Sequence, residues 1–357
     1  MPRLRLKRPE SLLCPMPLPA ASSAEPTAAR ASAQEQVIDA DALALLARRH
    51  RALGDELRLT LLRVLRQSSY GVSELAEIVD MTQPALSHHL KLLHEAELVA
   101  RRREGNSIYY RRNTLPNQHA LAPLYKELDV LPLDAPLQQR RDQVLARRRA
   151  QSQRFFDEHA TAFREQQARI SATDVYCGVV IDLVDRLCSE HSSAIEVGPG
   201  DGELLSALAR RFEQVIAIDH SERMLAQTAN AVRDSSNVTL RQQAFETLED
   251  HADQDLVLAA MVLHHLPDPS AFFTQASRVL KPHGLLMVAE LCSHDQQWAH
   301  SACGDLWLGF EAADLQHWAT SSGFSVETSE YLAQRNGFRI QIHGFRCSAT
   351  PAHSPHY

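Results

Sequence analysis

Ser193-Ala-Ile-Glu-Val-Gly-Pro-Gly-Asp-Gly202 is the stretch whose reading decides the fold. Ala194, Ile195 and Val197 read as a short buried strand. Gly198, Gly200 and Gly202, at alternate positions, turn the chain tightly into a helix predicted over Glu203 to Phe212. Strand, glycine turn and helix in that order make a nucleotide-binding loop. A dinucleotide site would place its third glycine one residue later, where Glu203 stands, and would aim bare amides at a pyrophosphate. Glu196 and Asp201 would repel a phosphate; they suit a ligand with a positive centre and an adenosine.

The glycines alone would also serve as a tight turn in some other α/β domain, and the next segment separates the two readings. Gln214-Val-Ile-Ala-Ile-Asp219 is a second apolar strand ending in an acid, placed to accept hydrogen bonds from both ribose hydroxyls, and His220-Ser-Glu-Arg-Met-Leu225 follows. With Glu-Val-Gly-Pro-Gly-Asp-Gly and Ile-Asp-His-Ser-Glu-Arg-Met-Leu in sequence, the chain resembles the class I S-adenosylmethionine-dependent methyltransferases. The resemblance implies a Rossmann-like α/β domain with S-adenosyl-L-methionine as cofactor. Its contacts are expected at Glu196, Gly198, Gly200, Asp201, Gly202, Asp219, His220, Met224, Phe245 and Met261. Relatives often carry an acid for the adenine amino group after the third strand; Ala244 stands there, so the backbone amide of Phe245 is expected to serve.

The chain has 357 residues, which predicts two domains plus connectors. Its formal charge of −7 is uneven: residues 41–113 carry 12 basic and 9 acidic side chains, residues 174–345 carry 10 and 24. Any nucleic acid should therefore meet the front half. Six scattered cysteines without a Cys-x-x-Cys pair read as reduced thiols, and no apolar stretch approaches a membrane span, so a cytoplasmic, membrane-free protein is expected. Residues 1–35, rich in Ala, Ser and Pro, are expected to be a disordered tail.

Helical periodicity begins at Asp41, with Gly54-Asp55 as a break. A short helix capped by Ser73 precedes Thr82-Gln-Pro-Ala-Leu-Ser-His-His-Leu-Lys-Leu-Leu-His, where Thr82 can cap and Pro84 fits the first turn. Leu86, Leu90 and Leu93 line one side, leaving a small polar face that can enter a major groove. Leu98 to Asn113 alternates as a hairpin around Glu104-Gly105-Asn106, decorated by arginines. Helix, turn, helix and basic hairpin make a winged helix-turn-helix, and the predicted DNA contacts are Thr82, Gln83, Ser87, His88, Lys91, Arg101, Arg102, Arg103 and Asn106.

Residues 36–130 resemble the ArsR-type bacterial repressors, above all in Gln83-Pro-Ala-Leu-Ser-His-His-Leu-Lys-Leu-Leu and Arg103-Glu-Gly-Asn-Ser-Ile-Tyr-Tyr. The resemblance implies a homodimer on double-stranded DNA with a palindromic operator, its apolar edge including Leu121, Leu124 and Leu128. Many relatives sense metals, but the cysteines of the arsenite-binding ones are replaced by Glu74-Leu-Ala-Glu-Ile-Val79, and His119, Glu127 and Asp129 are poorly spaced. No metal is expected.

Residues 131–170 are read as a linker running into a helix, whose Gln153 to Phe163 resembles the helix over the cofactor pocket of many methyltransferases, although Phe155, Phe156 and Phe163 equally read as packing residues; its arginines are expected on a solvated face, with contacts to DNA flanks as the alternative. The methyltransferase domain is predicted over 171–346, with a tail at 347–357. Met261, Val262 and His264 end a buried strand at the carboxyl edge, where open α/β sheets do their chemistry. His-His-Leu-Pro-Asp-Pro269 and Arg278-Val-Leu-Lys-Pro-His-Gly284 strengthen the resemblance and point to a small-molecule methyl acceptor; the DNA-methylation signatures Asn/Asp-Pro-Pro-Tyr and Pro-Cys are absent. His264 or His294 is expected to take an acceptor proton, with Asp295 as a further polar contact, although both histidines also read as ordinary loop residues. Three functions follow: a DNA-binding regulator with an active methyltransferase domain, a regulator whose rear domain only senses S-adenosylmethionine or S-adenosylhomocysteine, and an enzyme whose front domain only dimerises.

Overall fold

The computed structural model describes residues 41–66, 68–104, 107–113, 115, 119–171, 173–249 and 251–348, without side-chain detail at 104, 160–166 and 168. The predicted tail at 1–35, Gly105, Asn106 and residues 349–357 lie outside the described residues.

In the front half, residues 48–53 are helical and Asp55 starts α1 (Glu56–Val64) by accepting the Arg58 amide at 3.0 Å. Strand β1 (Tyr70–Gly71) leads into α2 (Val72–Ile78). Gly71, not Ser73, caps that helix, its N–H held by the Glu74 carboxylate at 2.8 Å. The helix α3 (Gln83–Glu95) has Pro84 in its first turn; Thr82 occupies the cap position with extended backbone but makes no capping bond. Leu86, Leu90 and Leu93 are fully buried, as the three- and four-residue spacing requires. Strands β2 (Val99–Glu104) and β3 (Ser107–Arg112) pair antiparallel as the wing, with β1 on the outer side of β3.

Helix α4 (Ala122–Val130) follows, and Leu121 and Leu128 join the domain's own core at 6% and 5% exposure. The apolar edge expected from them is therefore already spent inside the monomer; the exposed apolar residues nearby are Val130 and Leu131.

The stretch read as a linker is mostly one helix, α5 (Ala135–Ile170), 36 residues long and started by the Asp134 side chain on the Leu137 amide. Leu137 and Val144 belong to the winged-helix core. Its arginines are only in part a solvated face: Arg147, in a two-point pair with Glu77, and Arg149 are exposed, whereas Arg140 donates to the Ile78 carbonyl and Arg148 is buried.

Behind it lie α6 (Thr173–Leu187) and a seven-stranded sheet in the order β6-β5-β4-β7-β8-β10-β9. The strands are β4 (Ser193–Val197), β5 (Gln214–Asp219), β6 (Val238–Gln242), β7 (Gln254–Ala260), β8 (Leu280–Leu291), β9 (Phe324–Ala333) and β10 (Arg339–Cys347). The first five run parallel and β10 is antiparallel to both its neighbours. Every residue of β7 is buried, as a central parallel strand covered on both faces demands. Ala194 faces a core with α6 and α7 (Glu203–Ala209), whereas Ile195 and Val197 face one with α9 (Pro269–Val279) and α11 (Ala312–Ser321). The remaining helices are α8 (Glu222–Ala231) and the short α10 (Trp298–Ala302). Sheet order reverses at β4, whose carboxyl end carries the glycine loop, the position where such sheets open a crevice. Among the described residues no helix is long and apolar enough to cross a membrane.

Candidate functional site

A cavity of about 1120 Å³ including its mouth opens at that crevice. Glu196, Gly198, Gly200 and Asp201 line it from the β4 loop, Asp219, His220 and Met224 from the end of β5, Phe245 from the segment after β6, and Met261 from the end of β7. Gly202 does not: at φ +81° it caps α7, and a Cβ there would press on the Ala231 side chain at 2.7 Å, so its smallness serves helix packing. Gly198 has φ +65°, and a Cβ would collide with the Val262 side chain. Met261 sits at φ +57°, a left-handed conformation uncommon for a side-chain-bearing residue and concentrated at functional sites.

Two carboxylates dominate the cavity's electrostatics. Burial, reinforced by the Asp201 charge, pushes Glu196 well above the usual carboxylate range, and its Oε2 has no hydrogen-bond partner. Asp219 is raised by burial against the opposing pull of His220, and its Oδ1 accepts the Ser221 amide at 2.8 Å. Both acids are set for a ligand with donors or positive charge.

The sequence left open whether 153–163 covers the pocket or only packs. Arg149, Ser152, Gln153 and Phe156 of α5 all line the cavity, with Thr173 and Tyr176 of α6.

The expected catalytic histidines are displaced. His264 and His294 do not line the cavity; His265 does. His264 turns inward because its Nδ1 pairs with Glu290 Oε1 at 2.6 Å. Burial would lower its pKa, but Glu290 and Asp305 outweigh it and hold the ring at about 9. His294 lies apart, edge-on to Phe338, and burial holds it down at about 4. Asp295 is exposed and also outside the cavity. His265 packs edge-on to Phe156 with ring centroids 4.9 Å apart, and its Nδ1 lies 3.4 Å from the Gly304 carbonyl.

On the front half, Thr82, Gln83, Ser87, His88 and Lys91 form an exposed polar face of α3. Ser87 Oγ donates to the Gln83 carbonyl, and Gln83 donates to Ser73 Oγ at 3.0 Å. The wing divides. Arg101 and Arg103 are exposed, whereas Arg102, on the opposite face of β2, donates to the Gly309 carbonyl at 2.7 Å. Arg111 pairs with Asp314 at 2.5 Å, and Tyr109 packs on Trp307 with centroids 5.6 Å apart. Arg102 is thus corrected from a DNA contact to a tie between wing and rear domain. Arg112 is buried against Asp129 in a two-point pair.

Arg148 joins the same junction. It grips Glu74 at 2.8 and 2.6 Å, donates to the Ser69 and Pro267 carbonyls at 3.1 Å each, and stacks over Tyr70 and Trp307. Pro267 lines the cavity, and Glu74 lies on the helix before α3.

Residues 55–101 match the family described as "Bacterial regulatory protein, arsR family", and residues 195–288 match "Methyltransferase domain". Among curated proteins, the ubiquinone biosynthesis O-methyltransferase of Idiomarina loihiensis is 32% identical over 107 residues, covering 29% of this chain and 44% of that protein. The protein of that description from Paramagnetospirillum magneticum is 34% identical over 116 residues, covering 32% and 47%. The chain spans less than half the length of these relatives. Among solved structures, the N-methyltransferase NodS from Bradyrhizobium japonicum WM9, in complex with S-adenosyl-L-homocysteine, is 16% identical, covers 52% of this chain and 97% of its own, and has a TM-score of 0.41. The [4+2]-cyclase SpnF has 16% identity, coverages of 56% and 95%, and a TM-score of 0.47. Residues 55–101, within the winged helix, are thus an ArsR-family helix-turn-helix region, and residues 195–288, within the seven-stranded sheet and its helices, a class I methyltransferase domain.

Proposed function

We propose that the protein is a DNA-binding transcriptional regulator whose rear domain binds S-adenosyl-L-methionine and transfers its methyl group to a small molecule. The observation that carries this reading is the meeting of Asp219, Glu196 and the φ-positive Gly198 in one cavity at the sheet's reversal point. The orphaned Glu196 oxygen and the recessed Asp219 fit the cofactor: Asp219 would take the ribose hydroxyls, Glu196 and Asp201 the amino-acid end, and the Phe245 amide the adenine. Bound there, the cofactor supplies a carbon already activated by positive sulfur. The chain's own work is then alignment and exclusion of water. Phe156 closes the cavity from above and His265 takes the place expected for His264 as the imidazole facing the acceptor.

The DNA half of the proposal rests on the exposed α3 face with Lys91 and on Arg101 and Arg103 of the wing. A homodimer on a palindromic operator is part of it, with exposed Val130 and Leu131 as candidate contacts. The cytoplasm suits the free thiols of Cys177, Cys188, Cys292 and Cys347.

A second reading, in which cofactor occupancy controls operator binding without turnover, is favoured by α5, which supplies both the winged-helix core and the cavity's cover. Calorimetry with S-adenosylmethionine and S-adenosylhomocysteine, followed by promoter-fragment retardation with each, tests both. No affinity for either molecule overturns the cofactor assignment. Unchanged retardation on adding them overturns the sensor reading, and retardation indifferent to Lys91→Ala overturns the DNA assignment.

A further inference from the structure

His264, His265 and Asp305 come together beside the cavity, and the mechanism above leaves two of them without a task. Their donor atoms lie within 4.8 Å of one another and all three residues are buried. His264 Nε2 is 3.8 Å and His265 Nδ1 is 3.7 Å from Asp305 Oδ1. Asp305 is 1% exposed, yet neither of its carboxylate oxygens has a hydrogen-bond partner. A buried carboxylate with no hydrogen bond, its nearest imidazoles 3.7–3.8 Å away, is costly unless a cation faces it at closer range.

The surroundings are built to hold the donors still. His264 Nδ1 donates to Glu290, whose carboxylate also accepts the His264 amide at 3.2 Å and the Leu291 amide at 2.6 Å. A metal ion would displace any proton from Nε2, since a ligating imidazole is neutral, while Nδ1 keeps its proton for Glu290; a carboxylate behind a ligating imidazole is the usual outer partner of a metal-bound histidine. The loop bearing Asp305 is latched to the same residue, since the Leu306 and Trp307 amides donate to the His264 carbonyl at 2.9 and 3.1 Å. Ligands about 2.1 Å from a tetrahedral ion sit roughly 3.4 Å apart, so the two separations from Asp305 need to contract by a few tenths of an ångström, the two imidazole donors, within 4.8 Å, must close as well, and His265 Nδ1 must give up its long contact with the Gly304 carbonyl.

We propose that His264, His265 and Asp305 form a binding site for a divalent transition-metal ion of the zinc class, with Glu290 as the positioning residue behind His264. Two imidazoles and one carboxylate suit such an ion better than calcium or magnesium, which prefer all-oxygen sets. Because His265 also lines the cavity, the ion would lie at the acceptor's end of it, where a cation acidifies a bound hydroxyl or thiol. Metal binding itself requires neither cofactor nor methyl transfer, so its test is independent of the proposed function.

Full-length protein stripped with a chelator is dialysed against Zn2+ and its metal content measured, with Co2+ as the absorbing probe of geometry. One equivalent of Zn2+ per chain and Co2+ d–d bands of a four-coordinate site are expected. Asp305→Asn and His264→Gln should each weaken binding at least 100-fold, Glu290→Gln between about 10- and 100-fold, and His294→Gln, outside the cluster, not at all. Absence of a stoichiometric ion and of Co2+ bands in the unmodified protein overturns the proposal, as does Zn2+ affinity unchanged in folded Asp305→Asn. Should that variant not fold, the Co2+ spectrum of the unmodified protein and the His264→Gln titration decide the question.

Discussion

Arg148 holds Glu74 in a two-point ion pair, Nε to Oε1 at 2.8 Å and Nη2 to Oε2 at 2.6 Å, while its Nη1 reaches the carbonyl of Pro267 on the cavity rim. One guanidinium thereby touches α2, the helix that precedes α3, and the loop that borders the cavity. It is 7% exposed, and aromatic rings lie against its plane at 5.1 Å (Tyr70) and 4.6 Å (Trp307). Arg148→Ala should strand the partly buried Glu74 and cost about 3 kcal/mol of stability, read by urea unfolding. In retardation assays it should also diminish any effect of the cofactor on operator binding. An undiminished effect would show that communication, if present, takes another route.

Asp219→Ala removes the acid at the tip of β5. Hydrogen bonds to a charged group contribute about 1.5–3 kcal/mol each, so losing two should weaken S-adenosylmethionine binding at least roughly 100-fold by calorimetry. Circular dichroism and promoter retardation without cofactor should remain as in the unmodified protein.

The wing arginines should separate by salt dependence. Arg101→Ala and Arg103→Ala each remove an exposed charge, so the slope of log affinity against log salt should fall by about 1 apiece. Arg102→Ala and Arg111→Ala should leave that slope alone and instead lower the melting temperature, because their partners are the Gly309 carbonyl and the Asp314 carboxylate. A slope change for Arg102→Ala would put its side chain back on DNA.

His343 sets a pH window. Its Nε2 donates to Gln341 Oε1 at 2.9 Å and its Nδ1 accepts from Ser329 Oγ at 2.8 Å, an arrangement that uses the neutral ring. Burial holds it down at about 4, below the ordinary 6.5. The unfolded chain then binds the proton first as pH falls. Stability is fully present above pH 6.5 and lost progressively toward pH 4, about 3 kcal/mol in all by linkage. His343→Leu should flatten that part of the curve in denaturant titrations across pH 4–7; an unchanged curve would assign the loss elsewhere.

What was legible in the sequence was what is local. The glycine loop, Asp219 and Met224 could be placed because strand, turn and helix follow each other within some thirty residues, and the leucine spacing of α3 announced its buried side. The choice between His264 and His265 was not legible: adjacent residues of a single short turn at 263–265 point different ways, and only Glu290, brought alongside by the sheet, decides which turns inward. Strand alternation sets Arg102 apart from Arg101 and Arg103, which a reading that took all three as DNA contacts passed over, and nothing along the chain revealed that Gly309 waits on one side. Asp305 gave no signal because its partners lie forty residues earlier. Arg140 and Arg148 of α5 resembled a wet surface because their receivers, Ile78 and Glu74, belong to another element.

A rigid rod of 36 residues, about 54 Å end to end, makes the two modules of this chain mechanically indivisible. They are less like beads on a string than two tools on one handle. Recombination that exchanged either module would have to inherit the handle's register as well, since a shift of one residue turns it by about 100° and would carry Val144 and Phe156 out of their seats together.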